Sequence, residues 1–136
     1  WKVIEQAGQL GTLDVFLNFP MVDMNRNVLW RNPEGVTARQ KERMNSYWGD
    51  ESWRHAVYRP VQTLFGEEEE KAGNEAVVDA FQQRLKEVAG FRRVSEALPM
   101  KNSHGGVIYY LLFASQKAVA DDIIRDIFRK HSDNRA

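Results

Sequence analysis

The sequence contains no cysteine, which excludes disulfides and thiolate metal sites and suits a reducing compartment such as the cytoplasm. Neither sign of charge is in excess: 19 basic and 19 acidic residues give a formal net charge of zero. A basic footprint for sequence-independent nucleic-acid binding is therefore missing from the chain as a whole. No apolar run approaches the roughly 18 residues that a membrane span requires. Glu5, Gln6 and Gln9 interrupt the apolar stretch that a signal peptide would need. His55, His104 and His131 show neither i, i+4 pairing nor ligand spacing, so no metal centre is expected. A P-loop, a nucleophile elbow and a zinc-protease helix are also lacking.

What is present is enough for a core. The 136 residues are 43% hydrophobic and 11% aromatic, which reads as a single domain or the carboxyl-terminal portion of one. Val3, Ile4 and Ala7 share a helix face close behind Trp1, and Gly8 is the expected stop. A chain that opens in patterned sequence is expected to follow an amino-terminal portion. A parallel sheet cut at that point would expose an apolar face, so the lone piece is expected to be sticky or homodimeric.

The organising stretch is Leu13-Asp14-Val15-Phe16-Leu17-Asn18-Phe19-Pro20-Met21. Its nearly continuous apolar run predicts a strand buried on both faces, the habit of a parallel sheet covered by helices. Pro20 cannot donate to a ladder and must end it. Asn18 is thereby delivered to the carboxyl edge of the sheet, where open α/β folds bind ligands. Val22 to Gly35 reads as a loop with a short helical turn near Val28. Thr37-Ala38-Arg39-Gln40 is a capping box opening a helix to about Tyr47, with Gly49 as its stop. A short helix carrying Trp53, Ala56 and Val57 follows, ended by Pro60, and Trp48 and Trp53 are expected in the core. Val61 to Phe65 is an apolar patch of open type, and Glu67 to Lys71 reads as a solvated loop or first helical turn. Asn74 caps a helix with Val77, Phe81, Leu85 and Val88 in one stripe, and Gly90 ends it. Phe91 to Leu98 and Val107 to Ala114 are strands across a Pro99–Gly106 loop, an expected antiparallel hairpin. A final helix from about Lys117 to Lys130 precedes a polar tail, His131 to Ala136.

Asn18-Phe19-Pro20-Met21 resembles the strand-end segment of amino-group methyltransferases, which carries Asn or Asp, two prolines and an aromatic residue. Asn18 and Pro20 match, while Phe19 and Met21 depart, and Met21 lacks the usual stacking ring; Trp30 or Trp48 could supply one. More widely, Asp14 to Met21 with Asn25-Arg26-Asn27, together with Pro99-Met100-Lys101-Asn102 and Gly105 to Ser115, resembles the three-Cys-motif partner (TcmP) family. This bacterial group is similar to class I methyltransferases, and the resemblance covers nearly all of the chain.

It implies an α/β fold: the second half of a Rossmann-like methyltransferase sheet from its fourth strand onward, with helices on both faces and an antiparallel hairpin at the carboxyl-terminal end. It also implies S-adenosylmethionine as cofactor, a main donor-binding loop upstream of Trp1, and a radical-enzyme-like partner carrying the three cysteines. Asn18, Phe19 and Pro20 are then the expected catalytic residues: the Asn18 amide oxygen and the Phe19 carbonyl would position a substrate amino group. Met21, Asp23, Asn25, Arg26 and Trp30 are the expected substrate contacts, with Arg26 suited to a phosphate or carboxylate. The competing expectation is a non-catalytic interaction partner that keeps the fold.

Overall fold

The strongest strand-forming run after the first becomes the axis of the main sheet in the computed structural model, which describes residues 1–131. In chain order the elements are α1 (Lys2–Leu10), β1 (Val15–Phe19), α2 (Met21–Asn27), a 3₁₀ turn at Pro33–Gly35, α3 (Ala38–Trp48), α4 (Trp53–Val57), β2 (Tyr58–Thr63), β3 (Gly66–Lys71), α5 (Asn74–Glu87), β4 (Arg93–Val94), β5 (Leu98–Lys101), β6 (Val107–Ser115) and α6 (Ala118–His131). Residues 132–136 of the expected tail lie outside the described residues.

β6 pairs antiparallel with β1 on one side and with β4 and β5 on the other. This corrects the expected parallel strand: β1 runs against β6, with Val15 opposite Ala114 and Phe19 opposite Tyr110. It is not buried on both faces either. Burial alternates along it, with Phe16 60% exposed and Phe19 fully buried, the period-two pattern of a strand with one wet face. The expected hairpin is present: β5 and β6 pair antiparallel, with a register shift at Met100/Lys101. Pro99 to Lys101 belong to β5 rather than to the loop.

Phe19, Tyr110, Leu112 and Ala114 point into the main core, where Phe81 of α5 meets the Phe19 ring at 5.0 Å. Phe16 and Phe113 pair on the opposite face at 5.0 Å. There α6 packs over β6 and β4, and Ile124 is buried while Ile123 and Ile127 stay largely exposed. The architecture is thus mixed α/β around antiparallel sheets.

Local signals account for the helices. The Thr37 hydroxyl accepts from the Gln40 N–H at 3.3 Å, and Gln40 Oε1 accepts from the Thr37 N–H at 3.0 Å, so the capping box closes as its spacing requires. Gly49, at φ 109°, stops α3. In α5 the stripe of Val77, Phe81 and Leu85 is buried, while Val88 is 45% exposed; the helix cap position is Gly73, and Asn74 is the first helical residue.

Three segments differ from their sequence reading. Pro20 opens α2 at once, a position where its missing N–H costs nothing, so 21–27 is helix rather than loop. The acidic run Glu67–Lys71 is a strand, paired antiparallel with β2 in a separate two-stranded sheet. Gly8 does not end α1, which runs on to Gly11 at φ 71°.

Gly8 instead marks a close crossing. A Cβ there would overlap the backbone carbonyl of Ala89, whereas one on Gly11 would meet open space. Gly8→Ala is therefore expected to cost ~3 kcal/mol of unfolding free energy in urea titrations, through forced backbone movement. Gly11→Ala should cost only ~1 kcal/mol, from its left-handed backbone. Equal costs would show that α1 does not bear on residue 89.

Candidate functional site at the end of the first strand

β1 ends where three elements converge. Phe19 is held by Tyr47 of α3 at 5.7 Å and by Phe81 of α5 at 5.0 Å, ring centroid to centroid. Because Phe19 faces the core, the pleat turns Asn18 to the opposite, exposed face. The Asn18 side chain makes no hydrogen bond among the described residues, and its backbone carbonyl accepts from the Tyr47 hydroxyl at 2.7 Å. The result is a free amide on a backbone pinned by a phenol and terminated by proline. The buried parallel strand expected beneath Asn18 is absent, so its placement rests on this pinning and on the β6 ladder.

The other candidates separate. Phe19 and Met21 are fully buried, so their side chains are packing, and Phe19 offers a ligand only its backbone. Asp23 is exposed: it accepts from Asn27 Nδ2 at 2.8 Å and pairs with Arg43 at 3.4 Å, a solvent-screened contact of small energetic weight. Asn25 turns the other way, accepting from Lys71 Nζ at 2.8 Å and donating to Asn74 Oδ1 at 3.0 Å. Burial holds the Lys71 ammonium below its usual range, and the nearby Arg31 charge adds to the shift. Arg26 presents its side chain to solvent, while its carbonyl accepts from Trp30 Nε1 at 2.6 Å. That bond folds the Trp30 ring against Gly35, away from a role as a free stacking platform. Trp48 and Trp53 are core, each only 2% exposed.

A small hollow of about 140 Å³ lies under the strand end, lined by Pro20, Asp23, Arg43 and Tyr47 among others. Neither Asn18 nor Phe19 is among its lining residues, so the hollow and the Asn18 amide are separate features, and its volume is less than a drug-sized ligand needs. His55 and His104 are exposed. Among the described residues no group of three or more His, Asp or Glu is placed to hold a metal, and no helix is long and apolar enough to cross a membrane.

Tyr47 and Lys71 bear on this region without having signalled it. Tyr47 reads in sequence as one more apolar residue near a helix end, and Lys71 as the end of a charge run. Only the fold carries them to Asn18 and Asn25. Comparison of the chain with protein-family models, with curated proteins and with solved structures finds no match.

Desolvation raises the Tyr47 hydroxyl far above the ordinary tyrosine value of 10.0. The folded state therefore holds this proton more tightly than the unfolded chain. Its contribution to stability is complete below the unfolded value and is lost as pH rises from there toward the folded one. Tyr58 and Tyr110 shift in the same direction through burial. Urea unfolding followed from about pH 8 to about pH 11 should show stability falling above about pH 10, with a shallower fall in Tyr47→Phe. An unchanged slope would mean that burial does not hold the Tyr47 proton in the folded state.

Proposed function

We propose that the chain is the acceptor side of an S-adenosylmethionine-dependent, methyltransferase-like protein that acts on an amino nitrogen, the activity implied by the resemblance to the three-Cys-motif partner family. The observation that carries this reading is the free Asn18 amide on a backbone fixed by Tyr47 and stopped by Pro20. The sheet supports it in a second way. β1 and β5 both run against β6, so they are parallel to each other across a reversed strand. That is a reasonable closing end for a doubly wound Rossmann-like sheet whose last strand turns back. The outer edge of β1 has no partner among the described residues, which leaves it open to further strands.

In this reading the Asn18 side-chain oxygen accepts one hydrogen of the acceptor amino group and the Phe19 carbonyl accepts another. The nitrogen lone pair is then held in one direction, and holding it so is the catalytic contribution of these residues. The described residues do not fit the donor nucleotide. The β1–α2 junction is Phe19-Pro20-Met21, and Gly105–Gly106 joins two strands, so neither supplies a glycine-rich turn at a helix amino terminus. In a protein that joins this chain to the expected donor-binding portion, assayed with labelled S-adenosylmethionine and an amine acceptor, Asn18→Ala is expected to lower methyl transfer on the order of 100-fold through lost positioning. A rate left intact would remove Asn18 from the chemistry.

A second reading has its own observation. At the tip of the β2–β3 hairpin Leu64 is 100% exposed and Phe65 92% exposed, an apolar tip of the kind that anchors in a partner's pocket. Here the protein would be a docking subunit for the three-cysteine, radical-enzyme-like partner. Phe65→Ser should then weaken binding to that purified partner by about 2 kcal/mol, the usual scale of an anchor residue, with the fold unchanged by circular dichroism. Unchanged affinity would rule out the tip as the contact.

A further inference from the structure

A second concavity is unrelated to Asn18. It is a cleft of about 640 Å³ between α5 and the β5–β6 hairpin. Three carboxylates open onto it: Glu75 and Asp79 from the start of α5, and Glu96 from the segment between β4 and β5. None of them makes an ion pair within 4.0 Å among the described residues, although Lys101 lines the same cleft. Glu96 also borders a second hollow that it shares with Arg125 and Arg129, so the acidic excess in the cleft rests on Glu75 and Asp79, with Lys101 the cation lining the cleft itself.

The floor supplies a separate observation. Tyr110 is only 5% exposed, it lines this cleft, and its hydroxyl has no hydrogen-bond partner among the described residues. No completely buried side-chain polar atom lacks a partner, so the small exposed part of Tyr110 must include that oxygen, and the cleft is where it opens. The charges of Glu75 and Asp79 act on it directly: after burial, they are the groups that raise its hydroxyl above the ordinary tyrosine value. An unpaired phenol oxygen beneath unpaired carboxylates is an acceptor set for N–H donors. Val78 and Val107 on the walls suit an aliphatic stem.

We propose that this cleft binds an alkylammonium ligand, whose positive head is held by Glu75, Asp79 and Glu96 and donates to the Tyr110 hydroxyl while its methylene stem lies against Val78 and Val107. A free polyamine and the lysine side chain of a peptide share this chemistry. The proposal stands apart from methyl transfer, because it involves neither Asn18 nor a donor.

The test is calorimetric titration of the whole chain with two probes, spermidine and N-acetyl-lysine methylamide, and with 1,6-hexanediol as the uncharged control. At least one ammonium probe should bind and the diol should not. Asp79→Asn should weaken the bound probe on the order of tenfold, the scale of a charged hydrogen bond, and Tyr110→Phe should weaken it severalfold. Spermidine binding alone would identify the free polyamine as the source, and binding of the lysine analogue would identify a peptide. Glu96→Gln, at an exposed loop position, gives the same reading should Tyr110→Phe fail to fold. Absence of heat from both ammonium probes at millimolar concentration would overturn the proposal, as would affinities that Asp79→Asn and Glu96→Gln leave unchanged.

Discussion

The Phe81 ring is the contact on which the placement of everything around it depends. From α5 it touches Trp1 at 6.0 Å, Phe19 at 5.0 Å, Tyr47 at 5.3 Å and Trp48 at 5.4 Å, so one side chain joins the amino end, β1 and α3. Aromatic pairs of this kind contribute ~1 kcal/mol each beyond the apolar area they bury. Arg84 reinforces the same joint one turn further along. Its Nε donates to the Trp48 carbonyl at 2.6 Å, another nitrogen pairs with Asp50 at 3.1 Å, and the guanidinium lies 4.8 Å from the Trp1 ring centroid. Tyr47 belongs to this cluster before it belongs to any site. Its hydroxyl reaches the Asn18 carbonyl because its ring is already wedged between Phe19 and Phe81.

Features with a local cause were legible in the sequence. The Thr37–Gln40 box, Gly49 as a stop, the Val77–Phe81–Leu85 stripe and the β5–β6 hairpin each follow from residues within a turn or two of one another. α2 was hidden by Asp23, Asn25 and Asn27, which favour turns, although Met21 and Met24, both buried, carried a three-residue helical step. The β2–β3 hairpin was hidden by its turn. Leu64-Phe65 is a two-residue connection between Thr63 and Gly66, yet neither residue has the positive φ of the usual hairpin turn. Gly66 takes that conformation instead, at φ 109°, and the Thr63 hydroxyl donates to its carbonyl at 3.0 Å. Nothing in a run of glutamates announces that arrangement.

The direction of β1 could not be read because it is not a property of β1. An apolar run of this length fits a buried parallel strand and a half-exposed antiparallel one equally well. The choice was made by a partner strand 99 residues further along the chain, where Ala114 faces Val15. Of the residues expected around Asn18, Asp23 and Arg26 remain at the surface, Asn25 is turned toward Lys71, and Met21 is consumed by the core. Sequence adjacency after a strand end says little about which face a helix will present, and α2 divides its residues among three directions.

The zero net charge excluded less than it first suggested, because it is a sum of unlike regions. On α6 the charges cancel among themselves: Asp126 pairs with Arg129 at 2.7 Å and with Lys130 at 3.0 Å, and Asp122 with Arg125 at 3.8 Å. On β3 and the start of α5 they do not. Glu67 to Glu70, Glu75 and Asp79 form no ion pair within 4.0 Å among the described residues. In the β2–β3 register Arg59 stands opposite Glu70, while Glu67, Glu68 and Glu69 face Gln62, Val61 and Pro60, so a cation faces the acidic run at only one of its four positions.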